Sequence, residues 1–253
     1  MLSFPLTLLA LASQALAACD RAQLQKAAES YIAAVTAGSG GTLDVATYTE
    51  NFSNAKFKTG VVHSKPVKIG FSNNILDTTN CATFSEITAP QNSPPMVIGT
   101  QIHYDGDKIA KMETVYSTDK LGTFSNPAKT HGYFVKETRG PLAKKDSRKT
   151  LQGIVDSYFD KFSNGTIQVP HFTPCDRVEG SMYVTPDCTA GIMSRAGRKM
   201  TDRRFVIDED VGTVSIFLWF NGPGGSADSH SFRIEDGKLK YVHAIMVPTN
   251  GKF

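Results

Sequence analysis

The side chains best suited to proton transfer lie on strands predicted near the C-terminal end of the chain. His243 shares an alternating strand face with Tyr241 and Ile245. In an apolar cavity, an imidazole can take a proton from a carbon next to a carbonyl near neutral pH. His230, on the Phe232 face of the preceding strand, is the second candidate. Either histidine can instead be a core residue that is hydrogen-bonded to a neighbour.

Glu179 is the third candidate acid, although it can also pair with Arg177 two residues earlier. Arg203 and Arg204 precede an apolar strand, where interstrand salt bridges compete with a role in holding an anhydride or carboxylate oxygen. The predicted substrate-binding set is Arg177, Arg203, Arg204 and Tyr241. The first-half counterparts of these acidic positions are Glu50, Asp77 and Glu113. The expected chemistry needs no organic cofactor, and without a Cys-x-x-Cys pair or clustered histidines we expect no metal site.

Two amphipathic helices with the same spacing of residues must position these groups. The shared residues are Leu24, Gln25, Ser30 and Tyr31 in the first copy and Leu151, Gln152, Ser157 and Tyr158 in the second. Each helix has one apolar stripe and therefore one buried face. Asp20 and Gly38 are expected to bound the first helix. Asp146 or Ser147 begins the second, and Asn164-Gly165 ends it.

Strand signals follow each helix, so the chain is predicted to be α+β with a tandem duplication. The predicted units are residues 18–117 and 147–253, joined by a linker at 118–146. Residues 211–220 are apolar on both alternations, which indicates a strand covered on both faces. Each unit ends in an Asp-Gly hairpin, and aligning Lys108 with Lys238 sets Glu113 opposite His243. Leu239, Tyr241, His243, Ile245 and Val247 are expected to share one face.

The N-terminal segment and the cysteines predict passage through the secretory pathway, to the endoplasmic reticulum lumen or beyond. Residues 1–17 read as a signal peptide that ends in Ala15-Leu16-Ala17. Four cysteines follow, and the duplication favours Cys19 with Cys81 and Cys175 with Cys188 among three pairings. Asn51 and Asn164 lie in glycosylation sequons. The net charge of +3, spread without runs, argues against nucleic-acid binding.

Several motifs together resemble a family of secreted filamentous-fungal proteins with a duplicated NTF2-like (ketosteroid-isomerase-like) domain. The motifs include Ile75-Leu76-Asp77-Thr78-Thr79, Pro174-Cys175-Asp176-Arg177-Val178-Glu179-Gly180, Arg203-Arg204-Phe205-Val206-Ile207-Asp208-Glu209 and Asp228-Ser229-His230. The resemblance covers nearly the whole mature chain. It implies two cone-like units, each a helix packed on a curved antiparallel sheet, and exposed sheets that can pair into a homodimer. Some members are maleidride dimerising cyclases, which join two alkylated maleic anhydride units.

The chain also departs from that family in its first half. Asn73-Asn74 stands where the family has Arg-Ser, and Leu121-Gly122-Thr123 where it has Gly-Asp-Trp. These changes place the expected chemistry in the second unit or between the two units.

Two functions follow from the resemblance. One is a cyclase of fungal secondary metabolism that forms an enolate and adds it to a second anhydride. The other is a secreted small-molecule-binding protein without turnover.

Overall fold

The structure is a computed structural model that describes residues 19–38, 43–140 and 142–249. The predicted signal peptide lies outside these residues. Two α+β units follow each other, as predicted. The first contains α1 (Arg21–Ala37), β1 (Tyr48–Glu50), β2 (Ser53–Asn54), β3 (Phe71–Asp77), β4 (Ala82–Ala89), β5 (Met96–Asp105) and β6 (Lys108–Thr118). After α2 (Pro127–Phe134), the second contains α3 (Arg148–Asp160), β7 (His171–Glu179), β8 (Met182–Val184), β9 (Met200–Asp208), β10 (Thr213–Phe220), β11 (Ser226–Glu235) and β12 (Lys238–Pro248).

Side-chain caps begin both long helices where the sequence predicts them. The Asp20 carboxylate accepts from the backbone N–H of Ala22, and the Ser147 hydroxyl accepts from that of Thr150. Gly38 follows α1 with a φ of 72°, a conformation that favours glycine. Helix α3 ends at Asp160, short of the predicted Asn164-Gly165, because the chain turns away over the next residues.

Each unit has one six-stranded mixed sheet with the same topology. The strand orders are β2-β1-β6-β5-β4-β3 and β8-β7-β12-β11-β10-β9. In each sheet one pair is parallel, β1 with β6 and β7 with β12, and the other pairs are antiparallel. Tyr31 of α1 contacts Thr100 on β5, and Tyr158 of α3 packs on His230 at the matching position of β11. The two helices therefore lie on equivalent sheet faces, and the duplication is confirmed.

One predicted face of β12 needs a correction. The pairing of β11 with β12 shifts between Arg233 and Ile234, where a bulge lets Ile234 pair with Leu239. Leu239 consequently packs in the core beneath α3, whereas Tyr241 and His243 point to the opposite face. A bulge reverses the alternation of side chains, which the sequence pattern does not reveal.

The sheet faces that point away from the helices pack against each other. We call this contact the seam; its core includes Phe84 and Val97 of the first sheet and Phe217 and Ile245 of the second. Strand β10 is therefore covered on both faces, as its apolar pattern predicts. The sheet faces we expected to pair in a homodimer contact each other within one chain.

Two reciprocal ion pairs give the seam an approximate twofold symmetry. The Arg21 guanidinium, at the start of α1, donates to both carboxylate oxygens of Asp208 at 2.8 and 2.9 Å. Arg148, at the start of α3, does the same to Asp77 at 2.9 and 2.7 Å. Each carboxylate also accepts a backbone N–H from the other unit, Asp208 from Leu76 and Asp77 from Ile207. The first residue of each helix thus secures the partner unit.

Two disulfides link Cys19 to Cys81 and Cys175 to Cys188, one in each unit, which confirms the predicted pairing. The first fixes the start of α1 to the β3–β4 turn. The second fixes β7 to the loop that precedes β9. No helix within the described residues is long and apolar enough to cross a membrane.

Candidate functional site

The space between helix and sheet, which we call a cone, is closed in the first unit. Residues between β2 and β3 fold inward, with Phe57, Val62 and His63 buried in the core. Glu50 fixes this segment by accepting the backbone N–H groups of Val61 at 2.9 Å and Val62 at 3.0 Å. The first cone is therefore filled by its own chain.

The segment that fills the first cone makes polar contacts as well as apolar ones. The Tyr48 hydroxyl donates to Glu50 and lies 3.0 Å from Nδ1 of His63. Burial lowers the pKa of His63 to about 3, so this imidazole is neutral at physiological pH. A Cβ on Gly60 would lie 2.6 Å from a Glu50 oxygen, so a side chain there would displace the carboxylate that accepts these amides.

The second cone contains a cavity of about 580 Å³. Its walls are largely apolar, and its charged members are Glu179, Arg177 and Arg198. The apolar wall is formed by Phe124, Phe162, Ile192, Met193, Phe220 and Met246. Two of these are unusually exposed for large apolar side chains, Met193 at 76% and Phe124 at 55%. An apolar cavity with a few charged groups and an open apolar rim is typical of small-molecule sites.

Arg177 forms the inner wall of the cavity and holds its outer loop. Its guanidinium donates to the carbonyl oxygens of Cys188 at 2.7 Å and Ala190 at 2.9 Å. Its Nε lies 3.4 Å from a carboxylate oxygen of Glu179, the pairing anticipated from the sequence. Glu179 remains partly exposed to the cavity, at 27%. Arg177 thus positions the loop, and Glu179 is the carboxylate that a bound molecule can reach.

Arg198 places a positive charge at the cavity wall. Its guanidinium lies 5.5 Å from the centre of the Phe220 ring and donates to the carbonyl of Met193. These contacts fix the cation beside the apolar rim. An anionic group on a ligand would meet this charge as it entered.

An acid and an imidazole lie behind the cavity, between α3 and the sheet. Asp228 is fully buried, His230 is 6% exposed, and Asp228 Oδ1 lies 3.0 Å from His230 Nδ1. Among the residues that the structure describes, neither oxygen of Asp228 has a hydrogen-bond partner. The imidazole packs against the rings of Tyr158, Phe159 and Phe232. His230 is thus a candidate proton-transfer residue next to the cavity.

His243, the first candidate from the sequence, lies at the seam instead. Its Nδ1 lies 2.8 Å from Glu86 of the first unit and its Nε2 lies 2.5 Å from Glu137, which follows α2. The ring stacks on Phe134 at 3.7 Å and is 1% exposed. Burial alone would lower its pKa, but the charges of Glu137 and Glu86 raise the pKa of His243 to about 9.

This geometry favours a structural role for His243. A protonated imidazole at neutral pH cannot act as a base, and both of its nitrogens face carboxylates of the protein. Burial would raise the pKa of Glu137, but His243 and Arg139 hold it below its ordinary value. His243 therefore links the second unit to the first unit and to the segment after α2.

The remaining sequence candidates lie outside the large cavity. Arg203 pairs with Asp156 and Asp160 of α3, each at 2.6 Å. Arg204 pairs with Glu113 across the seam at 3.1 Å and also with Asp202. Both arginines thus form salt bridges, the expected alternative role, although Arg203 pairs with a helix and not with another strand. The proposed site does not include either arginine.

Tyr241 lies beside a smaller cavity of about 230 Å³, which Glu137 also lines.

Of the sequon residues, Asn164 is exposed. Asn51 is half-buried and accepts from the backbone N–H of Tyr116.

A family model for a domain of unknown function (DUF8021) matches residues 144–246. That range covers the second unit from just before α3 into β12, and it includes Arg177, Glu179, Asp228 and His230. No curated protein matches the chain. The match groups the candidate residues in one recognised domain and assigns them no activity.

Sequence reasoning missed Asp228 and Arg198 as members of the site. A signal for Asp228 was present, because it precedes His230 by two residues and strand alternation puts both on one face. Arg198 and the apolar rim lie in or beside the irregular loop before β9, where no periodic pattern indicates direction.

Proposed function

We propose that the second cone is the active site of a cofactor-free, ketosteroid-isomerase-like cyclase of fungal secondary metabolism, which dimerises alkylated maleic anhydride units. The substrate class comes from the sequence resemblance. The observation that supports an enzyme is a single one: a partly exposed carboxylate, Glu179, faces a largely apolar cavity. The cavity volume and its two arginines suit an amphipathic molecule with a polar, oxygen-rich end.

In this proposal Glu179 takes a proton from the alkyl carbon attached to the ring of one anhydride. The electron pair delocalises onto an anhydride carbonyl oxygen, and Arg198 stabilises the resulting negative charge. The carbanion then forms a carbon–carbon bond to the ring double bond of the second anhydride. Glu179 returns the proton to the adduct, so the dimer keeps all the atoms of the two monomers. Where the substrate carries a suitable carboxyl group, loss of carbon dioxide generates the same carbanion.

The two disulfides are consistent with folding in an oxidising compartment. Together with the signal peptide and sequons predicted from the sequence, they support a proposed site of action in the endoplasmic reticulum lumen or outside the cell.

The test is turnover of an alkylmaleic anhydride by the purified full chain, with the dimer detected by mass spectrometry. Glu179→Gln should lower turnover by about 10² to 10⁴, the usual contribution of a general base. Glu50→Gln is the matched control, since Glu50 occupies the equivalent strand position in the closed first cone. Its turnover per folded molecule should equal that of the parent.

Two results would contradict the proposal. Equal turnover by Glu179→Gln and the parent would remove Glu179 from the chemistry. Saturable binding of the anhydride or its diacid without any dimer would instead favour the secreted binding protein.

A further inference from the structure

We infer that Asp228 and His230 form a polar subsite at the inner end of the second cone, which receives a neutral O–H group of the bound molecule. The suitable groups are a hydroxyl, an enol or a protonated carboxyl. The inference rests on the cavity of the proposed function and adds a requirement on the chemistry of its ligand.

The first argument is an unsatisfied hydrogen-bonding capacity. Asp228 is fully buried, yet neither of its carboxylate oxygens has a hydrogen-bond partner within the described residues. Leaving a buried acceptor unsatisfied is unfavourable, so buried polar groups are nearly always paired. Nδ1 of His230 lies 3.0 Å from Oδ1 of Asp228 but supplies no well-aligned donor to either oxygen. A ligand O–H group would supply the missing donor.

The second argument is that the fold does not need an acid at the position of Asp228. The hairpins align residue by residue, since Lys108 pairs with Asp105 and Lys238 pairs with Glu235. In the first unit Ile98 therefore stands at the place of Asp228, and Thr100 at that of His230. Thr100 is satisfied by the hydroxyls of Tyr31 and Thr114. The same cone thus forms with an apolar residue in place of the acid. The buried acid therefore destabilises the fold without a structural role that offsets this effect.

The third argument is location. Ser226 lines the cavity, and Asp228 is the next residue on the same strand face, about 7 Å further along. Directly across the β11–β12 ladder from Asp228 is Met246, which also lines the cavity. Methionine side chains are flexible and adapt to what packs against them. In the inferred complex, Met246 shifts so that the cavity reaches the two carboxylate oxygens.

Charge defines the class of ligand group. A ligand anion at this depth would meet the carboxylate of Asp228, whereas Arg177 and Arg198 lie at the cavity wall. The ligand is therefore expected to present any anionic group to the arginines and a neutral O–H group to Asp228. An enol or hydroxyl on an apolar body fits this arrangement.

The test compares 4-ethylphenol with 4-ethylanisole, which differ only in methylation of one hydroxyl, by calorimetric titration of the full chain. The parent should bind the phenol about tenfold more tightly, the effect of one satisfied buried acceptor. Asp228→Ile, which copies Ile98 of the first unit, should reduce this ratio to about one and leave the affinity for 4-ethylanisole unchanged or higher. Asp228→Leu serves the same purpose if the isoleucine variant does not fold. Glu50→Gln, at the equivalent strand position of the closed first cone, leaves this cavity unaltered and should keep the tenfold ratio.

Equal affinities of the parent for the two probes would overturn the inference, as would a tenfold ratio that persists without Asp228. Failure of both probes to bind would also overturn the inference, while the turnover assay with an alkylmaleic anhydride decides the proposed function separately. Failure to dimerise an anhydride, with the phenol preference intact, would refute the cyclase alone and leave the subsite standing.

Discussion

The first cone is filled by its own chain, whereas the second holds a cavity of about 580 Å³. The two sheets have the same topology, so the difference comes from one loop and a few side chains. In the first unit the loop after β2 folds inward and its amides bind Glu50. In the second, the loop after β8 is held by Arg177 and leaves Glu179 facing the cavity.

Two exchanges at equivalent strand positions favour space or charge in the second cone. Tyr48 in the first unit corresponds to Arg177 in the second, and Tyr116 corresponds to Met246. At these two positions, an aromatic side chain of the first cone is replaced by a group that leaves space or carries charge. The first unit has a filled cone, and the second contains the residues suited to the proposed reaction.

The largest expected effect contrasts the two loops. Phe57→Ala should lower the free energy of unfolding by about 3 kcal/mol, because it leaves a void in a filled core. Met193→Ala, in the corresponding loop of the second unit, should change it by less than about 0.5 kcal/mol, because Met193 is largely exposed. Chemical denaturation of both variants measures the contrast. Similar losses for the two would mean that the second loop is packed as firmly as the first.

The seam offers a second contrast, because Glu113 and His243 occupy equivalent positions but carry opposite charges. The raised pKa of His243 means that its ion pairs stabilise the fold fully below about pH 6.5 and lose that effect as pH rises to about 9. Stability should therefore fall by about 3 kcal/mol across this range. Denaturation at pH 6, 7.5 and 9.5 measures the change.

Two variants in the same experiment distinguish the contribution of His243 from that of Glu113. His243→Gln should be less stable at pH 6 and should lose the alkaline decline. Glu113→Gln should keep the decline, because it leaves both ion pairs of His243 in place. An alkaline decline that survives in His243→Gln would assign it to another group.

The smallest expected effect comes from making the second cone resemble the first. Met246→Tyr copies Tyr116 and should fill part of the cavity, with a change in stability under about 1.5 kcal/mol because space is available. Binding of 4-ethylanisole should weaken several-fold, as a calorimetric titration would show. Unchanged binding would place the ligand elsewhere in the molecule.

Local rules predicted most of the fold. The caps Asp20 and Ser147 and the two Asp-Gly hairpins depend on neighbouring residues, and the structure places them as expected. The matching cysteines followed from the duplication. The bulge that redirects Leu239 was missed because it depends on how two strands pair and not on the pattern within either one.

The candidate site was only partly predictable. Glu179 and Arg177 lie together as expected because they are close on one strand. The partners of His243 could not be predicted, since Glu86 is 157 positions away and meets it only through the packing of two sheets. The cavity depends on the direction of an irregular loop, which no periodicity encodes.

The reciprocal pairs Arg21–Asp208 and Arg148–Asp77 bear on the history of the chain. A single arginine and a single aspartate, used twice across a twofold axis, are what a symmetric dimer of identical short chains would use. Once two such chains are fused, a substitution affects one copy alone. One cone can then acquire buried polar residues that destabilise it, because the other unit still stabilises the shared interface. Covalent linkage thus allows two units that began as identical subunits to differ, so that one supports the fold and the other contains the cavity.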